Sequence, residues 1–228
     1  DKNNLETRVI AKDIVDMANH YVPEMKAAGA DIIIAIAHSG LTTDTRAGGD
    51  ENASFYLSQV NGINAIMFGH AHRNFPGDSG YDGIDAIDNV KGTLNGIPAV
   101  MPGYWGKYLG YIDLTLSVDG DDVWSVADSQ SVLKPISQTN ADRSITSLVA
   151  NHQGIETAVA TDHAEVSEWV SEPFAKISAP INSFFALVQD DPSIQVVTDA
   201  QTWYVESIVA GTEYADLPIL SVGAPLRA

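Results

Sequence analysis

The sequence contains no cysteine. It therefore forms no disulfide bond, thiolate nucleophile or zinc–thiolate site, and histidine and carboxylate side chains are left as its strong metal ligands. No apolar run approaches the roughly 18 residues that a membrane span needs, so we expect no membrane partner. Nothing at the start has the pattern of a signal peptide. Because the chain begins with Asp1 rather than methionine, we expect it to be a processed or truncated piece of a longer protein.

Basic residues are scarce. The 228 residues include 12 Lys and Arg against 30 Asp and Glu, for a net charge of −18. Such a surface repels phosphate backbones, so we expect no nucleic-acid polymer as a partner. A small phosphate-containing ligand would need a local source of positive charge, and bound metal ions are one such source.

Two histidines follow a short apolar segment. Residues 64–68 form an apolar run after the turn signal Asn61-Gly62, which predicts a buried strand, and His70 and His72 come just after it. In extended backbone alternate side chains point the same way, so we expect the two imidazoles to converge. Neutral imidazole is the commonest metal ligand. The spacing alone is equally compatible with a histidine pair on a solvated loop.

A second strand precedes another histidine. Residues 31–37 are apolar and β-branched after the first, which predicts a strand covered on both faces, and His38 follows directly. Helical patterns over residues 11–28 and 50–60 alternate with these strands. We therefore predict an α/β sheet that brings the three histidines to one edge, where open α/β sheets bind their ligands.

The remainder of the chain predicts a loop followed by more strands and helices. The Gly- and Asp-rich residues 73–92 indicate a surface loop, and their spacing does not match a calcium-binding EF-hand loop. Short strands are expected over 98–101 and 111–118, the latter turning through Asp119-Gly120 into residues 123–126.

The last third of the chain has patterns that are mainly typical of helices. A long or interrupted helical segment is expected over 142–170, and its high polarity suits a helix that bridges two domains. A further helix over 191–209 and a final strand over 218–222 complete the prediction.

Several motifs resemble those of calcineurin-like metallophosphoesterases, and within that family the 5′-nucleotidase branch. They are His38-Ser39-Gly40, Gly69-His70-Ala71-His72 and residues 101–110. Residues 91–96 and 185–192 are similar to the members that act on 2′,3′-cyclic nucleotides and 3′-nucleotides. The resemblance runs over essentially the whole chain and favours metal ligation over the solvated-loop alternative.

The resemblance implies a fold and a division into domains. Residues 1–141 would form the C-terminal half of a four-layer α-β-β-α metallophosphoesterase sandwich. Residues 142–171 would form a bridging helix, and residues 172–228 the start of an α/β nucleotidase C-terminal domain.

The resemblance also implies an activity. It is hydrolysis of 2′,3′-cyclic nucleotides and 3′-nucleotides to nucleosides and phosphate by a water activated between two divalent metal ions, of Zn, Mn, Fe, Co or Mg. His38 and His70 would share one metal, and His72 would bind the other. The implied partner is a small nucleotide, and the implied state is a periplasmic monomer.

The family's earlier motifs are absent from the sequence. An Asp-x-His, a Gly-Asp and a Gly-Asn-His-Glu are expected upstream of residue 1, so we predict no catalytic residue in this chain and expect the chain alone to be inactive. The Asn-His dipeptides at His20 and His152 lack the flanking glycine and acid, and we interpret both as non-functional. His163 is interpreted as a surface residue.

Other residues near the motifs have less specific interpretations. Ser39 and Gly40 are expected to shape a loop rather than to react, and Tyr104 and Trp105 either line the pocket mouth or pack. Arg227 lies near where the family supplies phosphate-binding charge. The sequence is also compatible with two alternative functions. One is a non-catalytic fragment with an incomplete metal site, and the other is a 5′-nucleotide or sugar-nucleotide hydrolase of the same family.

Overall fold

The structure is a computed structural model that describes residues 9–225, so Arg227 lies outside the described residues. The chain divides into two compact units, one ending at His152 and the other beginning at Gln153. No helix among the described residues has the length and apolar character required to cross a membrane.

The first unit is a mixed α/β structure built on a central sheet. From residue 9 onward its elements, in order, are α1 (Ile14–Ala27), β1 (Ile34–Ala37), α2 (Ser54–Leu57), β2 (Ala65–Phe68), β3 (Asn74–Phe75), a 3-10 turn (Ser79–Tyr81), β4 (Ile87–Asp88), β5 (Thr93–Leu94), β6 (Ile97–Pro102), β7 (Tyr108–Val118), β8 (Trp124–Pro135), β9 (Ser137–Thr139) and β10 (Ile145–Ser147).

The central sheet has the strand order β1-β2-β6-β5-β4, and β3 also pairs with β6. Strands β1, β2 and β6 run parallel to one another, whereas β3 and β5 pair with β6 in the antiparallel sense. The carboxyl ends of the three parallel strands therefore lie at one edge of the sheet, and this edge positions the predicted histidines.

Helix α1 begins at an aspartate that also anchors a loop. The Asp13 carboxylate accepts hydrogen bonds from the backbone N–H groups of Val15 and Asp16, as an N-cap does, and pairs with Arg46 at 2.6 Å. The backbone N–H of Gly49 donates to its other oxygen at 2.6 Å. Burial raises the pKa of Asp13, but these hydrogen bonds and Arg46 outweigh it and lower that pKa to about 2.

The core lies on the face of the sheet that α1 covers. Val15 and Val22 of α1 pack with buried side chains of the strands and of the segments next to them. The cluster comprises Val15, Val22, Ile33, Ala53, Leu57, Val60, Ile63, Ile66, Phe68, Phe75, Tyr81, Leu94, Ala99 and Met101. Ala99 and Met101 are two positions apart in β6, so both side chains point to the same face of the sheet.

The β7–β8 hairpin packs on the opposite face of β6. Gly110 of β7 lies against Val100, since a Cβ built on this glycine would lie 2.8 Å from Val100 Cγ2. Val100 alternates with Ala99 and Met101, so it points away from α1. The first unit thus stacks a helix, a sheet and a second two-stranded sheet, in that order.

The prediction that β1 is covered on both faces is wrong. Ile36 is 83% exposed and Ile34 is 48% exposed. Ile36 is in register with Met67, and Met67 with Val100, so these side chains share the face that the hairpin covers at β6. The hairpin covers β6 but leaves β1 open, because β1 lies at the far end of the sheet order.

Three other predictions need correction in the first unit. The helix predicted over 50–60 is confined to Ser54–Leu57. The predicted loop 73–92 contains short strands and buries Phe75 and Tyr81, because its apolar residues join the core. Part of the predicted helix over 142–170 is instead the strand Ile145–Ser147, which pairs with β9.

Up to residue 225, the second unit contains two helices, α3 (Gln153–Ser171) and α4 (Pro192–Val209). The helix predicted over 191–209 is confirmed, and Asp191 caps it by accepting a hydrogen bond from the backbone N–H of Ser193 at 2.9 Å. The strand predicted over 218–222 is wrong, since these residues have no regular secondary structure.

Candidate metal centre

Two of the predicted histidines meet at the carboxyl edge of the sheet. The last residues of β1 and β2, Ala37 and Phe68, are in register, and His38 and His70 follow them within two residues. His70 Nδ1 lies 3.3 Å from His38 Nε2, and the two ring centroids are 5.2 Å apart. The parallel pairing of two short strands is therefore what brings together residues that are 32 positions apart in the chain.

The separation of the two ring nitrogens suits two kinds of contact. It is compatible with a hydrogen bond in which one ring donates to the other. It also matches a shared cation, because two nitrogen ligands at about 2.0–2.1 Å from a tetrahedral metal lie roughly 3.3–3.4 Å apart. The donor set of His38 and His70 therefore fits one divalent metal ion as two of its ligands.

Glu51 contacts the other nitrogen of the His70 ring. Its Oε1 lies 2.7 Å from His70 Nε2, while Nδ1 of the same ring faces His38. Glu51 is not among the site residues predicted from the sequence, because it lies 19 residues before His70 and belongs to no recognisable motif. Only the folded loop places it beside the histidine, so no signal in the local sequence identifies it.

Ser39 links the loop that carries Glu51 to the end of β1. The buried Ser39 Oγ donates to the backbone carbonyl of Glu51 at 2.7 Å and accepts from the backbone N–H of Ala53 at 2.7 Å. Ser54 Oγ donates to the Ser39 carbonyl at 2.9 Å. These contacts agree with the expectation that Ser39 shapes a loop.

Gly40 lies where this loop passes closest to the end of β1. A Cβ built on Gly40 would lie 2.1 Å from Asn52 Oδ1 and 3.0 Å from Ala71 Cβ. The backbone carbonyl of Gly40 accepts a hydrogen bond from Ser54 N–H at 3.1 Å. A residue without a side chain therefore allows the close approach.

His72 does not converge with His70 in the way predicted. Both residues have positive φ, 68° at His70 and 55° at His72, so the extended backbone on which that prediction depended is wrong. The His72 ring stacks on Tyr104, with centroids 5.1 Å apart and an angle of 27° between the planes. His72 is therefore held by the loop after β6.

A cavity of about 320 Å³ opens beside His72. It is lined by His72, Arg73, Asn74, Asp78, Gly103, Tyr104, Lys107 and Tyr108. Lys107 Nζ lies 4.3 Å from the centroid of the Tyr104 ring and donates to Tyr104 Oη at 3.0 Å. Arg73 is paired with Asp78 at 2.8 Å, and its hydrogen bond lowers the pKa of the Asp78 carboxyl. Tyr104 lines this cavity, whereas Trp105 is 87% exposed.

Comparisons with known proteins find relatives over the whole chain. The trifunctional nucleotide phosphoesterase protein YfkN of Bacillus subtilis is 48% identical over 229 residues, covering 100% of this chain and 15% of YfkN. The 2′,3′-cyclic-nucleotide 2′-phosphodiesterase/3′-nucleotidase of Salmonella typhimurium is 46% identical over 228 residues, covering 100% of this chain and 34% of that protein.

A solved structure is similar as well. The crystal structure of the calcineurin-like phosphoesterase YfkN from Bacillus subtilis matches with a TM-score of 0.65 at 41% identity, covering 75% of this chain and 48% of that chain. No family model matches the sequence. The chain is homologous to these phosphoesterases over its whole length. The resemblance inferred from the motifs and the predicted α/β fold class are therefore confirmed.

The homologous phosphoesterases are longer than this chain, which spans 15% and 34% of the two relatives named above. Within residues 9–225 no group of three or more His, Asp or Glu side chains is arranged to hold a metal ion. His20 contacts Glu24 at 3.4 Å on the exposed surface of α1, and His152 and His163 are also exposed. In the described part of the first unit, the structure thus brings together His38 and His70 and no third histidine.

Proposed function

We propose that the protein containing this chain hydrolyses 2′,3′-cyclic nucleotides and 3′-nucleotides to nucleosides and phosphate. The observation that carries the proposal is the identity of 41–48% over the whole chain with relatives that are nucleotide phosphoesterases by name. The meeting of His38 and His70 at the carboxyl edge of the sheet supports it, since this is where open α/β folds bind ligands.

In this proposal His38 and His70 hold one divalent metal ion and His72 holds a second. The distance of 3.3 Å between the facing ring nitrogens of His38 and His70 supports the shared ligation. The metal ions, of Zn, Mn, Fe, Co or Mg, would supply polarisation of the phosphoryl oxygens and a water acidic enough to ionise near neutral pH. They would also attract a phosphate to a chain with a net charge of −18.

The side chains of this chain then have two tasks. His38, His70 and His72 orient the metals from two strand ends and one loop, and Tyr104 supports the ring of His72 by stacking. The cavity beside His72 provides room for part of a small nucleotide, and Lys107 contributes a positive charge there. The carboxylate ligands and the remaining catalytic groups are proposed to come from outside residues 9–225, because these residues supply no group of three donors.

The test is hydrolysis of 2′,3′-cyclic AMP and 3′-AMP with added Mn²⁺. We would compare this 228-residue chain with a protein extended to the length of its relatives. Turnover of both substrates by the extended protein alone would support the proposal that the histidines form part of a divided site. Turnover by the chain alone would contradict the assignment of the missing ligands, and no turnover of either substrate by the extended protein would overturn the proposed function.

A second candidate function is hydrolysis of 5′-nucleotides. It is favoured by a weaker match, at 28% identity over 112 residues, to the 5′-nucleotidase of Diplobatis ommata. The same assay with 5′-AMP separates the two functions. Faster turnover of 5′-AMP than of 3′-AMP would favour this second candidate.

The proposed location and oligomeric state depend on the family resemblance. We propose a periplasmic monomer, acting on small nucleotides rather than on a nucleic-acid polymer. The acidic net charge of −18 supports the exclusion of a polymer. Cell fractionation and light scattering test the other two points, and a cytoplasmic or dimeric protein would contradict them.

A further inference from the structure

We propose that Glu51 is a positioning residue for His70. It holds the His70 ring with Nε2 protonated and Nδ1 bare, so that the Nδ1 lone pair faces His38. The evidence is the 2.7 Å contact between Glu51 Oε1 and His70 Nε2, together with the 3.3 Å contact between His70 Nδ1 and His38 Nε2. The consequence for metal binding depends on the proposed function, whereas the position of the ring proton does not.

The chemistry of the two contacting atoms fixes the direction of the hydrogen bond. An ionised carboxylate only accepts hydrogen bonds, so the contact requires a proton on His70 Nε2. In a neutral imidazole one ring nitrogen carries the proton and the other carries the lone pair. In the neutral form of His70, the form that can bind a metal ion, the lone pair is therefore on Nδ1, the atom that faces His38.

Ser39 explains why Glu51 is available for this task. Its side chain fixes the backbone carbonyl of Glu51 at 2.7 Å, and Ser39 is the residue after His38. The four residues are therefore connected in a cycle. His38 precedes Ser39 in the chain, Ser39 Oγ contacts the Glu51 backbone, the Glu51 side chain contacts His70, and His70 contacts His38. Both ring orientation and ring protonation are set by residues of the same loop.

Glu51 is suited to positioning rather than to holding the fold together. Its side chain is 73% exposed, and contacts between exposed polar side chains contribute little to stability. By contrast, a carboxylate that orients a metal-binding histidine typically changes metal affinity by about 10- to 100-fold when it is removed. A loss of metal affinity without a loss of stability is therefore the expected signature.

The experiment uses the 228-residue chain with two substitutions at this position. The side chain introduced by Glu51→Gln has nearly the same shape, but its amide can either accept from or donate to His70 Nε2, so it no longer selects one tautomer. Glu51→Ala removes the partner altogether. The matched control is Glu24→Gln, because Glu24 contacts His20 Nε2 at 3.4 Å in an exposed pair outside the site.

The first readout is ¹⁵N and ¹H NMR of the six histidine rings in the metal-free chain. We expect wild-type His70 to have a protonated Nε2 and a bare Nδ1, with the Nε2 proton protected from exchange. Glu51→Ala should lose that protection, Glu51→Gln should show the opposite tautomer as well, and Glu24→Gln should match the wild type. A wild-type His70 with a bare Nε2, or an unchanged Nε2–H signal in Glu51→Ala, would overturn the proposal.

The second readout is Zn²⁺ affinity by calorimetry, with melting curves as a check on folding. We expect both Glu51 variants to bind Zn²⁺ about tenfold or more weakly at an unchanged melting temperature. Equal affinity in all variants would overturn the role of Glu51 toward a metal. If the wild type binds no Zn²⁺ while the NMR result is as expected, Glu51 still positions His70 and the proposed metal ligation at His38 and His70 fails.

Discussion

Ser39 Oγ and the backbone carbonyl of Glu51 are joined by a 2.7 Å hydrogen bond. This bond crosses from the end of β1 to the loop before α2 and holds the second contact partner of His70 in place. The buried hydroxyl of Ser39, the residue after His38, thus helps to hold Glu51 beside His70.

Replacing Ser39 by alanine should weaken both the fold and the site. The substitution leaves the fully buried backbone N–H of Ala53 without its acceptor, at a cost of about 1–3 kcal/mol in the free energy of unfolding. It also releases Glu51, so Zn²⁺ affinity should fall. Urea unfolding and calorimetry measure the two effects. Ser131→Ala is the control, because Ser131 Oγ bonds the Gly92 carbonyl away from the histidines and its loss should lower stability only.

Replacing His38, His70 or His72 by alanine in the extended protein should lower turnover of 2′,3′-cyclic AMP by about 100-fold or more. Each removes a proposed metal ligand, so the bound metal measured by atomic emission should fall as well. His20→Ala is the matched control, since His20 is an exposed histidine that contacts Tyr21 and Glu24 of its own helix. Near-normal turnover in all three site variants would be incompatible with the proposed function.

The carboxyl edge of the sheet, where His38 and His70 lie, is the part of the site that the sequence predicts best. Short apolar runs before His38 and His70 predict two strands, and parallel strands end at the same edge. The backbone at His70 and His72 was not predictable, because positive φ depends on the turn that follows the strand rather than on the residue type. Glu51 was not predictable either, because its contact depends on the path of a whole loop.

The same distinction applies to the fold. Periodicity located α1, β2 and β7, since their apolar spacing is a local property. It failed at β1, because an apolar run indicates that a strand can be buried but does not say whether another layer covers it. It also failed at residues 145–147, where spaced apolar residues compatible with a helix form a strand with β9.

The uncovered face of β1 gives a prediction with an internal control. Ile36→Ala should change the free energy of unfolding of this chain by less than about 0.5 kcal/mol, since Ile36 is 83% exposed. Ile66→Ala on the neighbouring strand should cost about 2–5 kcal/mol, because Ile66 is fully buried under α1. Chemical denaturation of the two variants measures the difference. Equal costs would mean that Ile36 is covered in solution.

The lowered pKa of Asp13 predicts how stability depends on pH. The folded state holds this pKa at about 2, against an ordinary value of 3.8, so the unfolded chain binds the proton more readily. The contribution of the charged carboxylate, about 2 kcal/mol, is fully present above about pH 5 and is lost as the pH falls from about 4 through 2.

Asp13→Asn isolates this contribution, because asparagine also caps helices but carries no charge. We expect the variant to be less stable than the wild type at pH 7 and the gap to close near pH 2, as measured by urea unfolding across that range. A gap that stays constant between about pH 7 and 2 would show that the charge of Asp13 does not stabilise the fold.

His72 has a φ of 55°, in the left-handed region that glycine adopts without steric strain. A histidine held there costs the fold about 1 kcal/mol or more relative to glycine. Selection for thermodynamic stability alone would therefore favour glycine at position 72. The backbone at position 72 thus favours glycine over the imidazole that the proposed function requires, so thermostability screening of this protein should enrich for variants that have lost the metal ligand.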